Sequence, residues 1–382
     1  MNTRIYTNCV CLIAALLPLL PITAEDSFKP ERIYAGTKFQ TKTYMHQFVE
    51  NPSGTKYAFR YFPGKKQPQG AKGPNRIGNP CEIWICNSDL SGHHRAFTSP
   101  NNGESGHGDG VIVWVTDDLI YYCGVAYQLS TGKVLWQFDN RSPYLIPHAQ
   151  SFPVSPKKLY VRVQGGFQGK GIYWLDPSSS TKPELHLVTD MKNLPEYYKG
   201  KWEQANTSYV YQNPSDTKLF MVVLDGEKRK EHAFIINVND GSVHSYLGRN
   251  GVGRCNNGHV LWYDDQTLMA GNEHAGLFDL KGKLIRRLSP KHQGGHISLS
   301  PDKKWWVGDM TPENAVRLYR FGSMESVVIS GDAKYDNCHP SFSRDGRYVF
   351  FQGKKPFEPH VGVYRVDVSG IVGRGESPPS KK

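Results

Sequence analysis

The chain has 382 residues, 38% apolar and 12% aromatic, with 38 glycines, 25 prolines and a formal net charge of +11. Frequent turn formers, many aromatics and no long helical periodicity exclude a helical architecture and indicate an all-β protein. The basic charge admits anionic partners, but no run of five like charges concentrates it, so it reads as a diffusely charged surface and not as a nucleic-acid interface.

Residues 1–24 read as a cleaved secretory signal. Arg4 gives a positive start, Cys9 to Ile22 form an apolar stretch, and Thr23-Ala24 place small residues before Glu25-Asp26. Pro18 and Pro21 interrupt the run, which is short for a membrane span. A secreted or periplasmic protein with no membrane span after cleavage is expected. Loss of Arg4 leaves 45 basic against 35 acidic side chains. The mature chain keeps Cys81, Cys86, Cys123, Cys255 and Cys338, an odd count that is not a disulfide scaffold.

From residue 25 to 367 one unit recurs: a strand, a polar turn, and a second apolar or aromatic strand. It is written as Phe48 to Phe59, Ile112 to Tyr122, Phe152 to Val161, Tyr209 to Val222, His259 to Ala270, Gly295 to Val307 and Asn337 to Phe351. The last copy carries Ser343-Arg344-Asp345-Gly346, a turn signal because Asp tolerates bridge and left-handed backbone and Gly lacks a Cβ. Each unit precedes a further apolar strand that runs into a polar turn, such as Ile83 to Asp89 or Phe234 to Gly241. Turn markers at 54, 117, 157, 216, 265, 302 and 345 lie 37 to 63 residues apart. Their mean spacing of about 48 residues is that of four-stranded blades. The prediction is a seven-bladed β-propeller over residues 25–367, its ring closed by an N-terminal strand that joins the last blade and removes a free edge. Pro63 to Pro80 reads as a long loop, and residues 368–382 as a disordered tail.

The first strand of each blade lies against the central channel, so residues leading into it sit at one channel mouth, where ligands bind. His259, His296 and His339 hold that position in blades five to seven, each six residues before the turn residue Asp265, Asp302 or Asp345. Three imidazoles there suit a divalent transition metal; they also suit simple caps on channel-lining strands. His46, His107 and His148 reach the same mouth in earlier blades, whereas His93-His94 read as a solvated turn. No phosphate-cradling glycine loop, paired-cysteine metal motif or serine nucleophile elbow is present.

The His-Pro-Ser-Phe-Ser-x-Asp-Gly stretch at His339, the Gly-His-x-Ser-Leu-Ser-Pro-Asp stretch at His296 and the Gly-His at His259 resemble the oligogalacturonate lyase family, mainly over residues 250–351. The resemblance implies β-elimination on short acidic oligosaccharides at a divalent metal, often manganese, held by three His and one Gln. His296 and His339 carry over as ligands. A third ligand position falls on Asn337, and the Gln position on Lys334; both depart from the pattern, since Asn is a poor ligand and protonated Lys is none. Cys338 stands beside them as a substitute donor. His259 falls on the family's base, and Arg249 or Arg254, the latter preferred, is the candidate for stabilising the developing charge. The expectation is a weakly held Mn2+ or similar ion, an acidic oligosaccharide or other small ligand, and a monomer. The second reading is a propeller without catalysis that serves as a binding scaffold.

Overall fold

The computed structural model describes residues 28–36, 40–41, 48–63, 81–99, 112–138, 146–147, 158–164, 170–194, 206–224, 231–246, 260–270, 275–288, 295–309, 314–323, 326–333 and 338–372. Within them, strands β1–β28, numbered along the chain, form seven four-stranded antiparallel sheets. Six sheets take four consecutive strands: β2–β5 (residues 40–99), β6–β9 (113–137), β10–β13 (146–190), β14–β17 (206–245), β18–β21 (260–287) and β22–β25 (297–328). The seventh consists of β26 (Ser341–Phe342), β27 (Tyr348–Gly353), β28 (Gly362–Asp367) and, on its edge, β1 (Glu31–Arg32). The protein is a seven-bladed β-propeller, as the repeat predicts.

Strand composition follows position in the blade. Second and third strands are packed on both faces and read as continuous apolar runs, such as Tyr-Val-Phe-Phe in β27, where Val349, Phe350 and Phe351 are all fully buried. Each such side chain contributes about 2 kcal/mol when removed from water. Apolar clusters join one blade to the next; one packs Leu261 and Met269 against Ile297 and Trp306, and another packs Val307 and Leu318 against Phe342 and Tyr364. Fourth strands are outer edges. Leu284–Arg287 is exposed throughout, and its two arginines discourage edge pairing with another chain.

Every described turn marker falls between the first and second strands of its sheet; residue 157 lies outside the described residues. Several of these turns need a left-handed residue. Gly54 (φ 71°) and Gly346 (φ 76°) supply it without strain, while Asp216 (φ 56°) and Lys303 (φ 58°) adopt it despite a Cβ. Two turns share one network. Asn51 Oδ1 accepts the amide N–H groups of Thr55 and Lys56, and Asn213 Oδ1 accepts those of Thr217 and Lys218. Their sequences, Asn-Pro-Ser-Gly-Thr-Lys and Asn-Pro-Ser-Asp-Thr-Lys, are near copies.

The same two blades share their joints to the next blade. Trp114 Nε1 donates to Val49 O at 3.0 Å, and Trp262 Nε1 donates to Tyr211 O at 2.9 Å. Asp117 accepts the Ser53 amide at 2.8 Å, and Asp265 accepts the Ser215 amide at 2.9 Å. Between blades seven and one the bond runs from the Arg344 amide to Glu50. The ring is closed by β1, whose Glu31 lies opposite Arg365 and accepts its guanidinium at 2.7 and 2.9 Å, and Ile33 donates its amide to Val363 O at 2.8 Å.

Ser369–Val372, expected in the C-terminal tail, instead form one helical turn whose Ile371 and Val372 pack against the seventh-blade core. His93 is not a solvated turn residue: its Nε2 contacts Ile33 O at 2.7 Å and its ring packs on Tyr34. The signal stretch 1–24 and residues 64–80 and 373–382 lie outside the described residues, and no described helix is long and apolar enough to cross a membrane.

Candidate functional site

His296 leads into β22 (Ile297–Leu299) and His339 stands two residues before β26, so both lie at the channel end opposite the hairpin turns. The structure brings them together. Their ring centroids are 4.1 Å apart with an interplanar angle of 76°, an edge-to-face contact across the seam of blades six and seven. His296 is buried and His339 half-buried.

One carboxylate holds both. In β22 and β23 (Trp305–Gly308), Ile297 lies opposite Gly308, and one more step of that register puts Asp309 opposite His296. Asp309 is fully buried. It accepts the His296 amide at 2.8 Å, His296 Nδ1–H at 2.9 Å and, from the next blade, the His339 amide at 2.8 Å. The left-handed backbone of His339 (φ 49°) aims its amide at that carboxylate; such strain in a non-glycine residue costs roughly 1–3 kcal/mol and gathers at functional sites. Burial of an unneutralised carboxylate is unfavourable unless several donors satisfy it, and three do here.

The hairpin of blade seven repeats the device with a different partner. Ser341 lies opposite Phe350, and two further steps put Gln352 opposite His339. Gln352 Nε2 lies 2.9 Å from His339 Nδ1, and its backbone amide donates to Cys338 O at 2.7 Å. The two histidines therefore receive opposite instructions. A carboxylate behind Nδ1 keeps the proton there and leaves Nε2 of His296 as the lone-pair nitrogen. An amide N–H donated to Nδ1 makes that atom the acceptor in His339 and leaves its proton on Nε2.

Sequence reasoning passed over Asp309 and Gln352. The available signal was arithmetic: each stands 13 residues after its histidine, at the end of the strand that turns back beside it.

This chemistry bears on the expected metal. His296 backed by Asp309 has the orientation of a metal-bound imidazole, since ligating histidines commonly donate their other N–H to a carboxylate. His339, with Nδ1 engaged by Gln352, offers no lone pair at Nε2 in the same arrangement. Cys338 is not an alternative donor: it is fully buried in the apolar cluster with Val307, Phe342 and Phe351. Among the described residues no group of three His, Cys, Asp or Glu side chains is placed to hold a metal ion. The described residues do not by themselves fit a metal centre. His259, Arg249, Arg254, Lys334 and Asn337, like His46, His107 and His148, lie outside the described residues.

No protein-family model and no curated protein sequence matches the chain. Solved structures do. Oligogalacturonate lyase from Vibrio parahaemolyticus matches with a TM-score of 0.57 at 14% identity, over 89% of this chain and 96% of that one. An oligogalacturonate lyase in complex with manganese gives a TM-score of 0.57 at 13% identity, over the same shares. The β-propeller domain of Myceliophteria thermophila Cps50 (Swd1) gives 0.53 at 11% identity, covering 89% of this chain and 98% of that domain. At these identities the likeness is one of fold.

Proposed function

We propose that the protein acts on acidic oligosaccharides at the histidine mouth of its channel, cleaving beside a uronate by β-elimination. The observation that carries the reading is the Asp309–His296 pair with His339 against it, because the fold is shared with the Cps50 (Swd1) domain and does not choose between enzyme and scaffold. β-Elimination takes the proton at C5, α to the carboxylate, and expels the oxygen at C4, leaving a C4–C5 double bond. His296 is the base: Asp309 holds the proton on Nδ1, which leaves Nε2 as the basic nitrogen, and stabilises the imidazolium that forms. The His296 imidazolium returns the C5 proton to the departing C4 oxygen as its bond breaks, with the neutral His339 beside it. The proton taken from C5 ends on the C4 oxygen, so both histidines finish neutral as they began.

This role differs from the sequence expectation, which gave the base to His259. Neutralising the uronate carboxylate is the part of the chemistry that the described residues do not supply; Arg254 or a weakly held divalent ion remains the expectation for it. An exported, monomeric protein belongs to the same proposal and rests on residues 1–24 and on the dispersed surface charge.

The test is incubation of the purified mature protein with uronate oligomers, divalent ions supplied, while following the ultraviolet absorbance of the new conjugated double bond. Product from the native protein and at least a hundredfold less from His296→Ala, with an unchanged circular dichroism spectrum, is the expected result. No product from any uronate oligomer sinks the enzyme reading and leaves the scaffold.

A further inference from the structure

Independently of the histidine mouth, we infer that a cavity at the other end of the ring, between blades seven and one, binds a hydroxylated monocarboxylate such as a sugar acid, held by Arg344 and Glu50. The cavity measures about 440 Å³, and its lining includes Glu50, Tyr57, Ser88, Arg344, Asp345 and Tyr348. That volume is within the range of small-molecule sites. It lies beside the hairpin turns, whereas His296 and His339 stand at the opposite ends of the strands those turns join.

The charges around this cavity are unequally satisfied. Arg365, beside Tyr57, is taken up by Glu31, the Tyr57 hydroxyl and Ser88 O. Arg347 is paired with Asp367 at 2.9 Å. Arg344 has no carboxylate within ion-pair distance among the described residues, and its Nε is buried without an acceptor. Phe48 covers one face of its guanidinium, whose central carbon lies 4.1 Å from the ring centroid. A partly desolvated cation of this kind is relieved by an anion that accepts from its in-plane N–H groups. Glu50 adds the second half of the site. It is 4% exposed, it accepts the Arg344 amide, and no side-chain cation lies within ion-pair distance of it among the described residues. At two other seams the carboxylate that receives the turn amide is less buried: Asp117 is exposed and Asp265 half-buried. Burial raises the Glu50 pKa to about 7, so below that pH it is a neutral carboxyl with a proton to donate.

These groups select the ligand. One unpaired guanidinium and one O–H donor match a group with a single negative charge and two acceptor oxygens, which is a carboxylate. A doubly charged phosphate meets the Asp345 carboxylate at the rim, with one unpaired cation to offset it. The remaining lining suits hydroxyl groups. Ser88 Oγ and the Tyr348 hydroxyl make no hydrogen bond among the described residues, and the Tyr57 hydroxyl accepts from Arg365 and keeps its own hydrogen to donate. The charged and titratable groups facing Glu50 are Arg344 and Asp345 from the blade-seven turn and Tyr57 from β3, with Asp117 of blade two beyond Arg344. Arg344 opposes proton uptake by Glu50, and Asp345 favours it. A bound carboxylate is a further negative neighbour, so the anion and the Glu50 proton bind together. Ionised Glu50 repels the ligand, and affinity falls as pH rises through about 7.

The experiment is calorimetric titration of the purified protein with three probes built on one sugar: glucuronate, glucose and glucose 6-phosphate. At pH 7 glucuronate should bind saturably, with Kd below about 10 mM and roughly tenfold or more tighter than the other two. Its affinity should fall at least about tenfold between pH 6 and pH 8.5. Arg344→Met, which keeps the stem over Phe48, should weaken binding by roughly tenfold or more with an unchanged circular dichroism spectrum, whereas His296→Ala should leave it intact. Glu50→Gln retains an acceptor for the Arg344 amide and a donor for the ligand. It should therefore bind glucuronate at pH 6 as the native protein does, and equally well at pH 8.5. Loss of binding in His296→Ala with retention in Arg344→Met puts the sugar acid at the histidine mouth and overturns the inference. It is also overturned by an absence of saturable glucuronate binding, by equal or tighter binding of glucose or glucose 6-phosphate, or by a native affinity that does not change with pH.

Discussion

Asp309 is a fully buried carboxylate that no described cation neutralises by a direct ion pair other than the imidazole it orients. Its three N–H donors explain how it stays in place, and they define what an amide in its position would undo. Asp309→Asn keeps shape and size but no longer forces the proton onto His296 Nδ1. The expected result is a change of tautomer at His296, visible in its ring ¹⁵N shifts, with a 10- to 100-fold loss of whatever affinity or activity the pair supports. An unchanged tautomer would show that Asp309 is only a structural bridge between blades. A second outcome at this scale concerns thiols. Cys81, Cys86, Cys123 and Cys338 are buried as thiols, and burial pushes the Cys86 thiol up to about 12. In protein starting at residue 25, only Cys255 lies outside the described residues. Native protein should therefore release at most one equivalent of colour from a thiol reagent at pH 8, and five after denaturation.

At the scale of the element, the hairpin turns hold neighbouring blades together, and their side chains predict unequal costs. Asn51 and Asn213 make matching bonds within their own turns, but Asn213 Nδ2 also donates to Asp265 of the next blade at 2.8 Å. Both Asn→Ala changes should destabilise by about 1–3 kcal/mol, and Asn213→Ala should be the larger loss in denaturant titration. At the seam of blades seven and one the corresponding carboxylate is Glu50. Burial is the main cause that raises its pKa to about 7 from 4.5, against the opposing bond from the Arg344 amide. The folded state thus binds a proton that the unfolded chain releases between pH 4.5 and 7. Glu50 therefore lowers stability progressively as pH rises through that window, by up to roughly 3 kcal/mol above it. Glu50→Gln should flatten that part of the stability–pH curve, and an unaltered slope would refute the assignment.

These turns were the most legible part of the sequence. Asp-Gly and Asn-Pro-Ser clusters report a local backbone need, so six of the seven markers fell in described turns between the right strands. The histidines were legible too, because each leads into a recognisable strand. Asp309 and Gln352 were not. Their importance arises from cross-strand register, and nothing local to Gly-Asp or Phe-Gln says that a histidine lies opposite. Burial hid Cys338 in the same way: beside a histidine in sequence, it faces the core in space.

For the whole molecule, the ring depends on a strand of two residues. β1 supplies the outer edge of the seventh sheet, Ile33 is buried beyond it, and Glu31 takes up Arg365, which also donates to the Tyr57 hydroxyl in the first blade. Removing residues 25–33 should lower the melting temperature and broaden the transition, with the seventh sheet losing hydrogen-exchange protection before the others. Uniform loss across all seven sheets would mean that the ring opens and closes as one unit.

The closing strand also sets an order of events during synthesis. Glu31 and Arg365 are 334 residues apart, so the first strand to leave the ribosome waits for the last before it has a partner. Six sheets are complete within their own stretch of chain and have no such delay. The protein can therefore assemble blade by blade as it emerges, but it becomes a ring only after the final strand is free, and until then both its first and last blades present unpaired edges. A chain stalled or truncated anywhere before residue 362 is an open arc, and a quality-control system that recognises exposed strand edges has a defined feature by which to tell it from the finished protein.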